Sequence, residues 1–165
     1  MGRTDSDATL RSNDESFYVL GVQPEIASVG VNQVAASGDR FVPDGIWPAN
    51  FFGPPKDGYV VGRAHAGKTL AITFASLRRP GDLLASNFVP CPPTRALSFT
   101  VPQGKVVYLG DVTWSQKPDG LFPSYSNNFQ AAKTYMSSHY PKLADRLEPG
   151  NTEFVMAVPA VGCPK

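Results

Sequence analysis

Residues 96–114, ALSFTVPQGKVVYLGDVTW, constrain the fold more than any other part of the chain. Leu97, Phe99 and Val101 alternate with polar residues, which is the period-two pattern of a half-buried strand. A Pro-Gln-Gly turn follows, because proline has no N–H to give a ladder and glycine accepts a positive φ. The residues after the turn are apolar, β-branched or aromatic and show no helical period. The stretch therefore predicts the central hairpin of a β-sheet.

A second stretch with the same design covers residues 59–77, YVVGRAHAGKTLAITFASL. Leu70, Ile72 and Phe74 alternate with smaller residues, and Ala66-Gly67 marks a turn, so this stretch also predicts a hairpin. The chain holds 15 glycines and 16 prolines without a period, which indicates many turns between short strands. Together these features predict an all-β sandwich of roughly seven or eight strands.

One helix is expected, near residue 129, inserted before the last strand. Asn127 or Asn128 supplies a side chain that caps the first turn, and Pro141 ends the helix. Apolar residues at spacings of three and four give the helix one face that docks on the sheet. That face consists of Phe129, Ala132, Met136 and Tyr140.

Composition limits the domain organisation and the partners. We expect residues 17–165 to form a single domain, while residues 1–16 are polar and resemble a disordered tether or a vector-derived start. A net charge of +1 gives no reason to expect nucleic acid as a partner. No apolar run reaches about 18 residues, so we expect no transmembrane segment.

The two cysteines, Cys91 and Cys163, lie in proline-flanked, loop-like sequence. Their number and spacing do not match a zinc site, and we expect no metal or other cofactor. We predict a disulfide between them, which would place the protein outside the cytoplasm. The alternative is two unrelated buried thiols.

An aromatic segment, IWPANFF, lies in a long loop predicted over residues 35–58. Trp47, Phe51 and Phe52 form a candidate ligand surface, although a cap folded over the open end of the core is the interpretation we favour. Trp47, Trp114 and Tyr125 also suggest a sugar-stacking platform, which makes a carbohydrate-binding module one alternative function.

Residues 62–69, GRAHAGKT, match the phosphate-binding pattern G-x-x-x-x-G-K-[ST]. In that pattern Gly62 and Gly67 shape the loop, Lys68 reaches the phosphates and Thr69 binds Mg²⁺. A nucleotide hydrolase with a P-loop is therefore the main enzymatic alternative. The loop must open a helix, however, and the residues after Thr69 alternate as in a strand. We therefore expect Lys68 and Thr69 to take no part in phosphate chemistry.

Other catalytic patterns are missing from the sequence. There is no G-x-S-x-G, and His65 and His139 are the only histidines. Asp111 is the one acid inside a strongly apolar strand, and a strand end or a backbone hydrogen bond would account for it. We therefore predict a non-catalytic protein and assign no catalytic residue.

Three segments, GYVVGRAHAGKTLAI, FTVPQGKVVYLGDVTW and NNFQAAKTYMSSHYPKLADRLEPG, resemble uncharacterised bacterial cell-envelope proteins, many of them predicted lipoproteins. The resemblance implies an antiparallel sandwich of immunoglobulin-like or transthyretin-like type in the periplasm or outer envelope. It implies a binding or structural role, with another envelope protein or a glycan as partner. It also implies a lipid anchor upstream of Met1, although the lipidated cysteine of such proteins is not present in this sequence.

Overall fold

The computed structural model describes residues 4–10, 15–43, 49–159 and Cys163. The strands are β1 (Glu15–Gln23), β2 (Ser28–Ser37), β3 (Arg40–Pro43), β4 (Phe51–Gly53), β5 (Tyr59–His65), β6 (Thr69–Leu77), β7 (Ser86–Phe88), β8 (Arg95–Thr100), β9 (Val106–Lys117), β10 (Gly120–Ser126), β11 (Leu147–Pro149) and β12 (Thr152–Ala157). The helices are α1 (Phe129–His139) and α2 (Pro141–Ala144). The fold is mainly β, as the alternating sequence pattern predicts.

The strands form two sheets. The first has five strands in the order β10-β9-β1-β5, and β11 also pairs with β9. The second has seven strands in the order β4-β2-β3-β12-β8-β6-β7. Because β2 also pairs with β6, the strands β2, β3, β12, β8 and β6 close into a ring. We call these five strands the ring.

Both predicted hairpins are wrong in their pairing, although their strands and turns are correct. β8 lies in the seven-stranded sheet and β9 in the five-stranded sheet. Likewise, β6 lies in the seven-stranded sheet and β5 in the five-stranded sheet. The turns at residues 66–67 and 103–104 are therefore corners that connect the two sheets. They lie side by side, and the Gly67 N–H donates a hydrogen bond to the Val101 carbonyl at 3.1 Å. Alternation shows that a segment is a strand, but it does not identify the partner strand.

The segment predicted as a long loop contains short strands. Residues 35–58 include the end of β2 and all of β3 and β4, and residues 78–94, between β6 and β8, include β7. Each of these short strands has three or four residues, which is too few to produce a recognisable alternation. The glycines and prolines mark the ends of these strands rather than one continuous loop.

The main hydrophobic core lies between the two sheets. The five-stranded sheet contributes Tyr18, Leu20 and Trp114, and the ring contributes Leu70 and Leu97. A second core lies on the other face of the five-stranded sheet, beneath the helices. It includes Phe17, Val19, Val106, Tyr108, Ala132, Met136 and Leu143.

The helical prediction is correct for α1 and incomplete around it. The Asn128 side chain accepts a hydrogen bond from the Ala131 N–H at 3.1 Å, which confirms it as the N-cap. Ala132 and Met136 are fully buried, as the predicted stripe requires. The prediction that the last strand follows the helical region directly is wrong, because β11 lies between α2 and β12. β11 has only three residues, so its sequence carries no strand pattern.

The N-terminal segment lies partly against the helical core. Ala8 is 3% exposed, and the Tyr140 hydroxyl donates to the Thr4 carbonyl at 3.1 Å. β1 begins at Glu15, two residues before the predicted start of the domain. Residues 1–3 and 11–14 of the predicted tether lie outside the described residues.

Cys91 and Cys163 form a disulfide, with their Cα atoms 5.5 Å apart. The predicted bridge is therefore confirmed. It fixes the segment between β7 and β8 to the end of the chain, beyond the last strand. Neither of the two helices in the described part of the chain is long and apolar enough to cross a membrane.

Candidate functional site

The interior of the ring is lined by small and medium apolar side chains. Small residues suit this interior because five strands enclose little space. The cluster contains Val34, Phe41, Ala71, Ala96 and Ala157, with Val155 packed against it. Nearer the open end of the ring, polar residues replace them.

A cavity of about 690 Å³ opens at this end of the ring, which we call the ring mouth. Its lining comes from all five ring strands and from the turn between β2 and β3. Val155 supplies partly exposed apolar surface, while the rings of Phe41 and Phe99 are buried. The polar groups come from Asp39, Arg40, Thr69, Ser98, Thr100, Asn151 and Glu153. A cavity of this size, with mixed apolar and polar lining, is typical of sites for small organic ligands.

The polar groups of the ring mouth suit a neutral, hydroxyl-rich ligand. The hydroxyls of Thr69 and Thr100 are 3.0 Å apart across neighbouring strands, so they form a hydrogen-bonded pair on the wall. Asp39 and Glu153 carry acceptors and Arg40 carries donors. Side chains with both functions, placed beside the apolar surface of Val155, can bind the hydroxyl groups and the apolar face of one ligand together.

The phosphate-loop pattern does not form a phosphate site. Residues 62–69 run from β5 through a corner into β6, and no helix follows them. The N–H of Gly67 donates to Val101, and the N–H of Lys68 donates to the His65 carbonyl at 3.3 Å. The Thr69 hydroxyl is paired with Thr100. These groups therefore do not converge on an anion.

Lys68→Ala is expected to change the free energy of unfolding by less than about 0.5 kcal/mol, because the Lys68 side chain is exposed. Chemical denaturation of both proteins measures this difference. Isothermal titration with Mg²⁺-ATP and Mg²⁺-GTP should give no saturable heat for either protein. Micromolar binding that is lost in Lys68→Ala would contradict this prediction.

The residues of the predicted aromatic ligand surface do not lie together, because one is in the core and another is exposed. Phe51 is 2% exposed and belongs to the main core, while Phe52, its neighbour on β4, is 48% exposed and packs on Phe74. Successive residues of a strand face opposite sides, so these two rings cannot form one surface. Trp47 lies outside the described residues.

Two residues of the alternative sugar-stacking platform, Trp114 and Tyr125, do not form an exposed surface together. Trp114 is 2% exposed and packs against Phe88 in the main core. Tyr125 is partly buried and packs on Phe154, and burial raises the pKa of its hydroxyl to about 12. A stacking platform that includes Trp114 is therefore not formed.

Two further polar groups have structural partners. His139 Nε2 forms a hydrogen bond with the Asp57 carboxylate at 3.1 Å, and the His139 ring stacks on Tyr135 at the end of α1. Glu148 forms an ion pair with Lys105 at 3.3 Å. Within the described ranges, no three His, Cys, Asp or Glu side chains gather in a way that would hold a metal ion.

No family model, no curated protein and no solved structure matches this chain.

Sequence reasoning did not find the ring mouth. Its lining residues come from five separate strands, and each one alone is an ordinary strand residue. Only Thr69 among them belongs to a sequence motif, and that motif suggests a different chemistry. The closure of β2 against β6 brings these residues together, and no local pattern encodes that pairing.

Proposed function

We propose that this protein is a non-catalytic, extracytoplasmic binding module of a bacterial cell envelope, and that its ligand is a glycan bound at the ring mouth. The observation that carries the proposal is the cavity of about 690 Å³, which opens between polar side chains and a smaller apolar surface. A sugar offers hydroxyl groups to such side chains and an apolar face to such a surface.

The extracytoplasmic location is supported by the disulfide between Cys91 and Cys163. Disulfides persist in oxidising compartments, such as the periplasm and the cell surface, and are rare in the cytoplasm. In this proposal the two packed sheets serve as a rigid body of the sandwich type, related to immunoglobulin-like or transthyretin-like modules. The role of this body is to hold the loops and the ring mouth in place.

The test is a glycan array followed by titration with the soluble oligosaccharides that score on it. Ala36 lines the ring mouth and is exposed, so Ala36→Trp should fill the entrance without disturbing the core. Ala35 is the adjacent exposed residue and points to the opposite face of β2, so Ala35→Trp is the matched control.

We expect Ala36→Trp to weaken glycan binding by at least about tenfold, which corresponds to about 1.4 kcal/mol. Ala35→Trp should bind like the unmodified protein. Equal binding by Ala36→Trp and Ala35→Trp would exclude the ring mouth as the site. Absence of binding to any glycan on the array would contradict a glycan as the ligand.

A further inference from the structure

Asp111 is held in an unusual position by an irregularity in β9. Val19 of β1 pairs with Tyr108, whereas Gly21 pairs with Asp111, so β9 carries one residue more than β1 in this interval. Gly110 supplies the positive φ of +102° that this bulge needs. A bulge shifts the alternation of side chains by one residue, so Asp111 faces the same side of the sheet as Tyr108, toward the helices.

The Asp111 carboxyl is pressed against the backbone of the neighbouring strand. A Cβ atom on Gly21 would lie 1.9 Å from Asp111 Oδ1, so only glycine leaves room for this oxygen. Oδ1 is buried and has no hydrogen-bond partner among the described residues. An unpaired carboxylate oxygen in such a place is costly, so the described part of the chain stabilises a negative charge on this carboxyl only poorly.

The other side of the carboxyl faces a separate cavity of about 190 Å³, which we call the Asp111 cavity. Tyr59 forms one wall, and its ring is fixed by stacking on Tyr135 with the ring centroids 4.5 Å apart. The cavity lies on the five-stranded sheet, apart from the ring mouth. Its lining also includes Gly21, Val22, Gln23, Gly58, Thr113 and Ser126.

The charge of Asp111 is not balanced within the described part of the chain. Neither a basic residue nor a second acid lines the cavity there. The Tyr108 hydroxyl accepts a hydrogen bond from the Asn128 N–H at 2.9 Å and interacts with the Asp111 carboxyl. Burial raises the pKa of Tyr108 and of Tyr59, so both phenols stay neutral at pH 7.

Burial raises the pKa of Asp111 above its usual range, and the Tyr108 hydroxyl offsets part of that increase. The native state then binds more protons than the unfolded state in acid, so stability falls as pH rises through the usual and the raised pKa of the carboxyl. At neutral pH the ionised carboxylate therefore destabilises the empty cavity. A bound positive charge would remove this cost.

We propose that the Asp111 cavity binds an organic ammonium group, with Asp111 as its counter-ion and the Tyr59 ring as one wall. A carboxylate beside an aromatic ring and hydroxyl groups is the combination that stabilises such cations in proteins. A single carboxylate provides too little negative charge for tight binding of Ca²⁺. The volume admits a head group or the end of a side chain. This site is independent of the glycan site proposed above.

The ammonium group can belong to a free amine or to a lysine side chain of a partner. The test therefore titrates the full chain with methylammonium, with choline and with Nα-acetyl-lysine N-methylamide, at constant ionic strength and pH 7. The readout is the ¹³C resonance of the Asp111 carboxyl in protein labelled at aspartate. Calcium chloride is titrated separately.

We expect a saturable shift of the Asp111 resonance with at least one of the three amines. Preference for choline or methylammonium would indicate a free amine, and preference for the lysine derivative would indicate a side chain. In Asp111→Asn, where binding is measured by the thermal stabilisation that the amine causes, the response should be lost. Asp119→Asn, at an exposed turn, should keep the response. Tyr59→Leu should keep the fold and weaken binding by about five- to thirtyfold, because the ring contributes about 1–2 kcal/mol.

Three results would overturn the proposal. The first is the absence of a saturable shift with every amine up to about 10 mM, which is the limit of weak binding. The second is equal binding of an amine by Asp111→Asn and by the unmodified protein. The third is a response to Ca²⁺ that depends on Asp111, without a response to any amine.

Discussion

Replacing Gly62 by alanine is expected to lower the free energy of unfolding by about 3 kcal/mol. Gly62 of β5 lies directly opposite Tyr18 of β1, and a Cβ atom at residue 62 would lie 2.1 Å from the ring carbon Cζ of Tyr18. The ring cannot move away easily. Its hydroxyl donates to Asn50 at 2.6 Å, its face packs on Phe99, and the residue is fully buried. Urea denaturation of Gly62→Ala measures the loss.

Gly67→Ala is the matched control, because Gly67 belongs to the same phosphate-loop pattern. Nothing lies within 4 Å of a Cβ atom at residue 67, so its cost comes only from a φ of +76° and should be about 1 kcal/mol. The cost of Gly62→Ala should also fall when Tyr18→Leu is introduced first, because the two residues contact each other. A Gly62→Ala protein as stable as the unmodified one would show that the Tyr18 ring relocates freely.

Removal of the disulfide is expected to lower the free energy of unfolding by about 4 kcal/mol. The bridge closes a loop between cysteines 72 residues apart, and a closed loop of this length strongly restricts the unfolded chain. The double variant Cys91→Ser/Cys163→Ser, compared with the unmodified oxidised protein in urea, measures the effect. Thiol titration of the unfolded, unreduced protein should find no free sulfhydryl group.

Dithiothreitol provides the control for the disulfide variant. The reductant should destabilise the unmodified protein to the same extent as the two substitutions and should leave the double variant unchanged. A difference below about 1 kcal/mol between the oxidised protein and the double variant would contradict the loop-entropy argument. It would then follow that the segment around Cys91 keeps its position without the bridge.

The sequence predicted the elements that depend on local chemistry. The strands at residues 97–101 and 70–74, the two turns and the Asn128 cap all follow from alternation, glycine and side-chain hydrogen bonding. The pairing of the strands depends on distant contacts. β1 pairs in parallel with β9, and β12 in parallel with β3, which no neighbouring residues specify. The hairpin predictions failed for this reason.

The candidate sites likewise combine features that the local sequence predicts with contacts that depend on distant residues. Asp111 stands out in the sequence as the one acid in an apolar strand, but a strand end, one of the two explanations considered, does not account for it. The residue lies within β9 beside a bulge, and its neighbour Gly21 is distant in sequence. Gly62 matches the phosphate-loop pattern, but the Tyr18 ring occupies the space where a side chain at residue 62 would lie. In both cases the role of the residue depends on its contact with a residue on the neighbouring strand.

The ring depends on the last strand of the chain. β12, at residues 152–157, lies between β8 and β3, so the ring stays open with two unpaired edges until the C-terminal residues are available. A chain that is still being synthesised cannot close the ring before residues 152–157 have emerged. The long separation between paired strands is expected to make this closure slow. Until then, the edges of β3 and β8 stay open to pairing with other chains.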